Sequence, residues 1–303
     1  MTQTNSMLSS LSHPRYWRSW LGFGVLWLIS RLPLKVQSSI GRALGRFLHK
    51  YVKRRRHIAE VNIQHCFPEL SATEQSTLVK ESFEQLGLSY IELGRVWWPK
   101  PSLWQGRYKI NGLEHLQAAQ AEGGVLLLCG HFALLDLGAN ILGRNTTMDG
   151  MYRANSNPVM SYLEKRGREN FFAHAIERSE IRDLIKALKQ KRTVWYAPDQ
   201  DFGRKNTVFA PFFGQPASTL TSPSRLSKMT GAKVLTVAFH RTQDSQYLID
   251  ISPALDNFPS GDDVADATRL NKALEDNIRK YPAQYLWVHR RFKTQEEGGD
   301  IYL

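Results

Sequence analysis

The sequence predicts an α/β fold: a mixed, mostly parallel sheet flanked by helices, with an N-terminal membrane-associated helical segment ahead of it. Two observations carry this. From residue 125 onward, short apolar runs of strand length alternate with helical patterns, the order that βα units impose. Before residue 100 the chain instead reads as helix and basic charge.

Taken in order, the first element is Trp20–Ile29 (WLGFGVLWLI), apolar without interruption and carrying Trp20 and Trp27, with Trp17 just ahead and Arg15, Arg18 and Arg31 as flanks. Aromatic residues with basic flanks suit a membrane interface. The run falls short of the roughly 20 residues a perpendicular span needs. A short span with snorkelling arginines, a helix lying in the interface and a helix packed on the domain all fit it. Arg31 and Pro33 follow with no small-residue cleavage site, which argues against a cleaved signal peptide. Next come Arg42, Arg46, Lys50 and Lys53-Arg54-Arg55-Arg56. If the first segment spans, this block holds the following domain in the cytoplasm; if not, it draws anionic head groups or forms a solvated helix face.

Residues 1–60 hold eleven Lys or Arg against the single acid Glu60, whereas the rest of the chain has 29 bases against 27 acids. The net charge of +12 therefore sits at one end. That excludes a basic groove spread over the whole fold and, with it, a nucleic-acid partner; it predicts an anionic contact at the N-terminus. The chain divides into residues 1–66, a membrane anchor and basic helical region, and residues 67–303, the α/β domain.

Ser71 and Glu74 make a capping box for a helix over 71–95, where Leu78, Phe83, Leu86, Tyr90 and Leu93 recur at helical spacing. Trp97-Trp98-Pro99 ends it. Val125–Cys129 (VLLLC) is a fully apolar strand, followed by Gly130-His131 and a helix from Ala133. Thr146–Met151, Val194–Ala197, Val234–His240 and Tyr247–Ile251 are further strands. Helices over 158–168, 180–190, 222–230 and 267–281 lie between or beyond them. Cys66 and Cys129 are the only cysteines, which excludes a disulfide-dense scaffold. With no zinc-ligand spacing, no H-E-x-x-H helix and no phosphate-cradling glycine loop, neither a metal nor a bound cofactor is expected.

The chemistry is expected at His131 and Asp136. Their spacing says little, since nine histidines and 28 acids in 303 residues give roughly 0.8 such pairs by chance. Their context says more. His131 follows a buried strand and a glycine, where α/β sheets place functional loops. Asp136 falls about one turn into the next helix, within reach of the imidazole. A neutral histidine can take the proton from a hydroxyl attacking a thioester, while a carboxylate fixes its tautomer. No G-x-S-x-G elbow is present, in keeping with a hydroxyl supplied by the substrate. Cys129 is the competing nucleophile, or simply a small strand residue.

Several motifs in order carry a resemblance. They are His13-Pro14-Arg15-Tyr16-Trp17, residues 20–28, Cys66-Phe67-Pro68-Glu69, Tyr152-Arg153, Val194-Trp195-Tyr196-Ala197-Pro198-Asp199, Pro211-Phe212-Phe213-Gly214 and Trp287-Val288-His289-Arg290-Arg291-Phe292-Lys293. The chain resembles the secondary acyltransferases of lipid A assembly from about residue 13 to 294, and most of all their first-acting, lauroyl-type member. The resemblance implies a sheet like that of glycerol-phosphate acyltransferases and one N-terminal membrane segment. It implies acyl transfer from acyl carrier protein to the 3-hydroxyl of an acyl chain on Kdo2-lipid IVA, at the cytoplasmic face of the inner membrane of a Gram-negative cell. His131 and Asp136 match the family's catalytic positions, the second of which holds Glu or Asp.

Anionic partners give the other residues candidate roles. Arg153, beside Tyr152 after a strand, can grip phosphate or a sugar acid, or form a surface ion pair. Asp199, Gln200 and Asp201 can orient the site, hold sugar hydroxyls or shape a turn. Arg290 and Arg291 can meet carrier protein or head group, or end the chain as solvated charge. Phe209, Phe212 and Phe213 either line an acyl channel or pack the core. Three rival functions remain: a later-acting, myristoyl-type acylation in the same family; acylation of glycerol phosphates, whose family usually has Asn before the histidine where Gly130 stands; and a membrane-anchored anion-binding protein without catalysis.

Overall fold

The computed structural model describes residues 11–303 apart from 243 and 245. Its strands are β1 (Tyr108–Asn111), β2 (Val125–Cys129), β3 (Asp149–Tyr152), β4 (Ala175–Glu177), β5 (Thr193–Tyr196), β6 (Thr207–Phe212), β7 (Gln215–Leu220), β8 (Lys233–Arg241) and β9 (Tyr247–Ile251). Seven of them form one sheet in the order β1-β9-β8-β2-β5-β3-β4, while β6 and β7 pair as a separate hairpin. Within the sheet only β8 and β9 are antiparallel, joined by a link too short for a crossover. The other neighbours run parallel. The expected mixed, mostly parallel sheet is present. The strands invisible in sequence include β1 and β4, three or four residues each, at the two edges of the sheet.

Ten α-helices among the described residues complete the fold. The first four, α1 (Trp17–Ile29), α2 (Leu34–Tyr51), α3 (Lys53–Cys66) and α4 (Ala72–Trp97), form an N-terminal layer. The rest are α5 (Leu113–Glu122), α6 (Leu135–Gly143), α7 (Pro158–Arg168), α8 (Ile181–Lys189), α9 (Ser222–Thr230) and α10 (Asp263–Lys280). The capping box is built: the Ser71 Oγ accepts from the Glu74 N–H at 3.3 Å and the Glu74 carboxylate accepts from the Ser71 N–H at 2.8 Å. Every residue of β2 is buried. Leu127 and Cys129 join the core shared with α3, α4, α5 and α6, whereas Leu126 and Leu128 join the core shared with α8 and α9. Burial on both faces is why β2 reads as a continuous apolar run.

In the N-terminal layer, α2 and α4 cross with their backbones touching. A Cβ on Gly87 would stand 2.2 Å from the Gly41 carbonyl oxygen. Buried charge fastens α4 to the sheet: Glu92 accepts from Arg95 at 2.9 Å and from the Arg241 Nε at 3.1 Å. Removing Glu92 would strand two buried guanidiniums, a change that costs about 3–5 kcal/mol.

No described helix is long and apolar enough to cross a membrane. Helix α1 has thirteen residues, about 20 Å at 1.5 Å per residue. One of its faces is packed on the protein. Trp20, Phe23 and Leu26 lie against the core, with Phe23 edge-on to Trp97 at 5.5 Å. The opposite face is bare: Trp17 is 64%, Leu21 71% and Leu28 59% exposed.

Candidate active site

Strands β2 and β5 are parallel neighbours with Leu128 level with Tyr196. His131 stands three residues beyond Leu128, and Asp199 three beyond Tyr196. Register therefore brings the two side chains together above the carboxyl edge of the sheet. The chain leaves β2 for β3 on one side and leaves β5 for β8 on the other. The two connections cross, each passing the other's strand, and both loops rise at the carboxyl edge, where α/β sheets bind ligands. Gly130 lies close under α10: a Cβ there would stand 2.3 Å from the Leu274 Cδ1, which would have to turn aside.

The His131 Nδ1 is 2.5 Å from the Asp199 Oδ1, and the His131 backbone N–H donates to the Asp199 Oδ2 at 2.8 Å. The Tyr285 hydroxyl donates to that same Oδ2 at 2.9 Å. Burial by itself raises a carboxyl pKa; the charge of His131 and these donors override it and hold Asp199 at about 2. Burial likewise lowers the pKa of His131, but the charge and hydrogen bond of Asp199, followed by the charge of Asp136, leave it raised. With Asp199 ionised, the network assigns the ring proton to Nδ1. Nε2 is then the nitrogen left for a substrate.

The C-terminal segment clamps this loop. The Ala133 N–H donates to the Gln284 carbonyl at 2.6 Å, and the Leu286 N–H donates to the His131 carbonyl at 3.0 Å. Asn62 of α3 holds the segment in turn, donating to the Trp287 and His289 carbonyls at 2.7 Å each. Tyr285 has no signature in sequence; it follows α10, more than 150 residues from His131.

Asp136 lies in the first turn of α6, with its side chain 32% exposed. Among the described residues its hydrogen-bonding partner is Arg168 of α7, at 3.5 Å, and its effect on His131 is one of charge. Arg168 also stands 3.9 Å from Glu164 and covers the Tyr152 ring. Burial, partly offset by Arg168, raises the Glu164 pKa to about 6. Tyr152 thus belongs to the Asp136 side of the crevice, a grouping the sequence did not disclose because α7 supplies its centre.

The remaining candidates scatter. Arg153 is exposed just past β3, with no hydrogen bond or ion pair among the described residues. Asp201 is buried, accepting from Gly203 at 2.8 Å and from the Thr294 N–H at 2.6 Å, so it shapes the loop after β5. Arg291 is only 3% exposed; it donates to the Ser218 carbonyl and the Thr219 hydroxyl and covers the Phe212 ring. Arg290 pairs with Asp300. Phe212 and Phe213 are core residues, and Phe213 (φ +52°) with Gly214 (φ +74°) forms the hairpin turn between β6 and β7. Cys129 is buried in β2, where burial first and the Asp199 charge second push its thiol pKa well up.

Residues 5–294 match the family of bacterial lipid A biosynthesis acyltransferases. The chain is 39% identical to the lipid A biosynthesis palmitoleoyltransferase of Escherichia coli (strain K12), with 96% of each chain covered. It is 38% identical to the lauroyltransferase of the same organism, with 98% of each covered. Identity to the myristoyltransferase is 29%, over 95% of this chain and 91% of that one. The chain belongs to the bacterial lipid A biosynthesis acyltransferase family.

Proposed function

From this membership, which makes the chain an acyltransferase of lipid A biosynthesis, we propose its reaction. A fatty acyl group passes from the thioester of acyl carrier protein to the 3-hydroxyl of an acyl chain on Kdo2-lipid IVA. The observation that carries the mechanism is the His131 Nδ1 held against buried, ionised Asp199. His131 Nε2 takes the hydroxyl proton as the oxygen attacks the thioester carbonyl. The new C–O bond forms, the C–S bond breaks, and the departing thiolate receives the proton from the imidazolium. Asp199 orients the ring and stabilises its charged form; Asp136 adds negative charge on the other side. No protein nucleophile is required, and the protonated, buried Cys129 does not offer one.

The higher identity to the lauroyl- and palmitoleoyltransferases than to the myristoyltransferase supports first-type acylation, with lauroyl or a similar chain. In this reading Arg153, exposed and unpaired at the carboxyl end of β3, grips a phosphate or sugar acid of the acceptor. The N-terminus serves membrane attachment at the cytoplasmic face of the inner membrane. With one face of α1 packed on the protein and the other apolar and bare, the helix lies in the interface.

Mass spectrometry of lipid A from a Gram-negative strain lacking its own late acyltransferases tests the reaction. Expression should add one acyl chain, and an unchanged lipid A would overturn the proposal. Supplying glycerol phosphate in competition separates the rival acceptor. Attachment is tested by flotation with anionic vesicles, where Leu21→Asp with Leu28→Asp should release the protein and folding should persist.

A further inference from the structure

A second groove, on the opposite flank of the catalytic loop from α10, is not used by this mechanism. It runs between α2, α4 and the C-terminal segment, walled by Leu48, Val52, Phe83, Leu86, Leu286 and Val288, and encloses about 290 Å³. That is the lower end of ligand-pocket size, room for part of a ligand. We propose that this groove binds one acyl chain of the lipid acceptor, with the acceptor's anionic head group on the basic run Lys53-Arg54-Arg55-Arg56; the inference rests on the lipid acceptor proposed above.

Three features point to this occupant. At its inner end the groove joins the reaction centre: Leu286 of its wall donates to the His131 carbonyl at 3.0 Å. His289, also in the wall, accepts from the Asp201 N–H at 3.2 Å. At its outer end stands Arg55, whose guanidinium donates to the Val288 carbonyl at 3.0 Å. Among the described residues, Lys53, Arg54 and Arg55 have no carboxylate within ion-pair distance; Arg56 pairs with Glu60 at 3.3 Å. These charges sit at the N-terminus of α3, whose dipole adds to their attraction for anions. Between the two ends the walls are apolar, as an acyl chain requires. The third feature is the lip. Val52 and Tyr90 of the wall are exposed, and apolar surface left open at the mouth of a groove is characteristic of an interaction site. A lipid entering sideways from a bilayer dries that lip, whereas a chain carried by a water-soluble protein leaves it wet. The cleft behind Gly130 and Asp199, lined by Leu128, Leu270 and Leu274, holds only about 50 Å³, too little for an acyl chain.

The test fills the groove. Val52→Trp and Leu86→Trp, made singly in the detergent-solubilised full chain, are assayed with Kdo2-lipid IVA as acceptor and acyl carrier protein thioester as donor. Each methylene displaced from apolar surface costs about fourfold in affinity. The KM for acceptor should rise about tenfold or more, with kcat and the donor KM within about twofold of wild type. The surface variant Lys53→Glu with Arg54→Glu should raise the acceptor KM and flatten its salt dependence, with an unchanged melting temperature as the check on folding. An acceptor KM that stays within twofold in all three variants overturns the proposal, as does a rise confined to the donor KM. A wild-type protein that acylates only a different acceptor overturns the functional reading itself, and with it this assignment.

Discussion

The two carboxylates beside His131 occupy contrasting surroundings. Asp199 is 8% exposed, takes three hydrogen bonds from His131 and Tyr285, and remains ionised down to about pH 2. Asp136 is about one-third exposed and meets Arg168 across 3.5 Å. Both carry negative charge toward the imidazole, yet only Asp199 fixes its orientation. A buried, fully hydrogen-bonded carboxylate acts through geometry as well as charge; a solvated one acts mainly through charge, which water screens.

Substitutions can break or sharpen that contrast. His131→Ala removes the base and should lower kcat by about 10³–10⁴-fold in a folded protein; near-normal turnover would remove His131 from the mechanism. Asp199→Asn frees the tautomer and should cost about 10²–10³-fold. Asp136→Asn, which removes charge without removing a ring contact, should cost about tenfold. Should Asp136→Asn match His131→Ala while Asp199→Asn is mild, the roles of the two acids are reversed. Tyr285→Phe deletes one hydrogen bond to Asp199, and its expected loss is smaller still, about three- to tenfold.

The pH profile separates charge from geometry. His131 must be neutral to act as base, so activity falls as pH drops through its raised pKa. Without Asp199 that fall should move to lower pH, and without Asp136 it should move less, because Asp199 is the larger cause of the rise. Stability falls in the same direction, but at lower pH. The depressed pKa of Asp199 contributes stability above its unfolded value near 3.9, lost as pH falls toward about 2. Acid unfolding followed by circular dichroism should show that loss in wild type and a flatter profile over pH 4–2 in Asp199→Asn. Equal slopes would mean that the buried pairing does not persist in solution.

The same contrast marks how far the sequence could be read. The strand Val125–Cys129, the glycine and His131 after it and the helix that follows were legible because each is local: apolar run, turn residue, helical period. The capping box at Ser71 was legible for the same reason. The edge strands β1 and β4 were not, since three or four residues do not establish a period. Arg290 and Arg291 read alike as basic residues near the chain end. Only the hairpin carbonyl of Ser218 and the hydroxyl of Thr219 make Arg291 a buried clamp. The motif Pro211-Phe212-Phe213-Gly214 likewise proved to be a hairpin turn above an aromatic core.

By itself, then, the sequence determined the α/β class, the position of His131 beyond a buried strand, the basic and Trp-rich N-terminus and the resemblance that led to the family. Those properties are written in neighbouring residues or in long ordered motifs. The tertiary structure decided which groups meet. The parallel register of β2 and β5 sets Asp199 against His131, the C-terminal segment adds Tyr285, and α7 sets Arg168 against Asp136. It also decided that α1 packs by one face and leaves the other bare. Such pairings join residues 32, 68 and 86 positions apart, and only the folded chain brings them within hydrogen-bonding reach of one another.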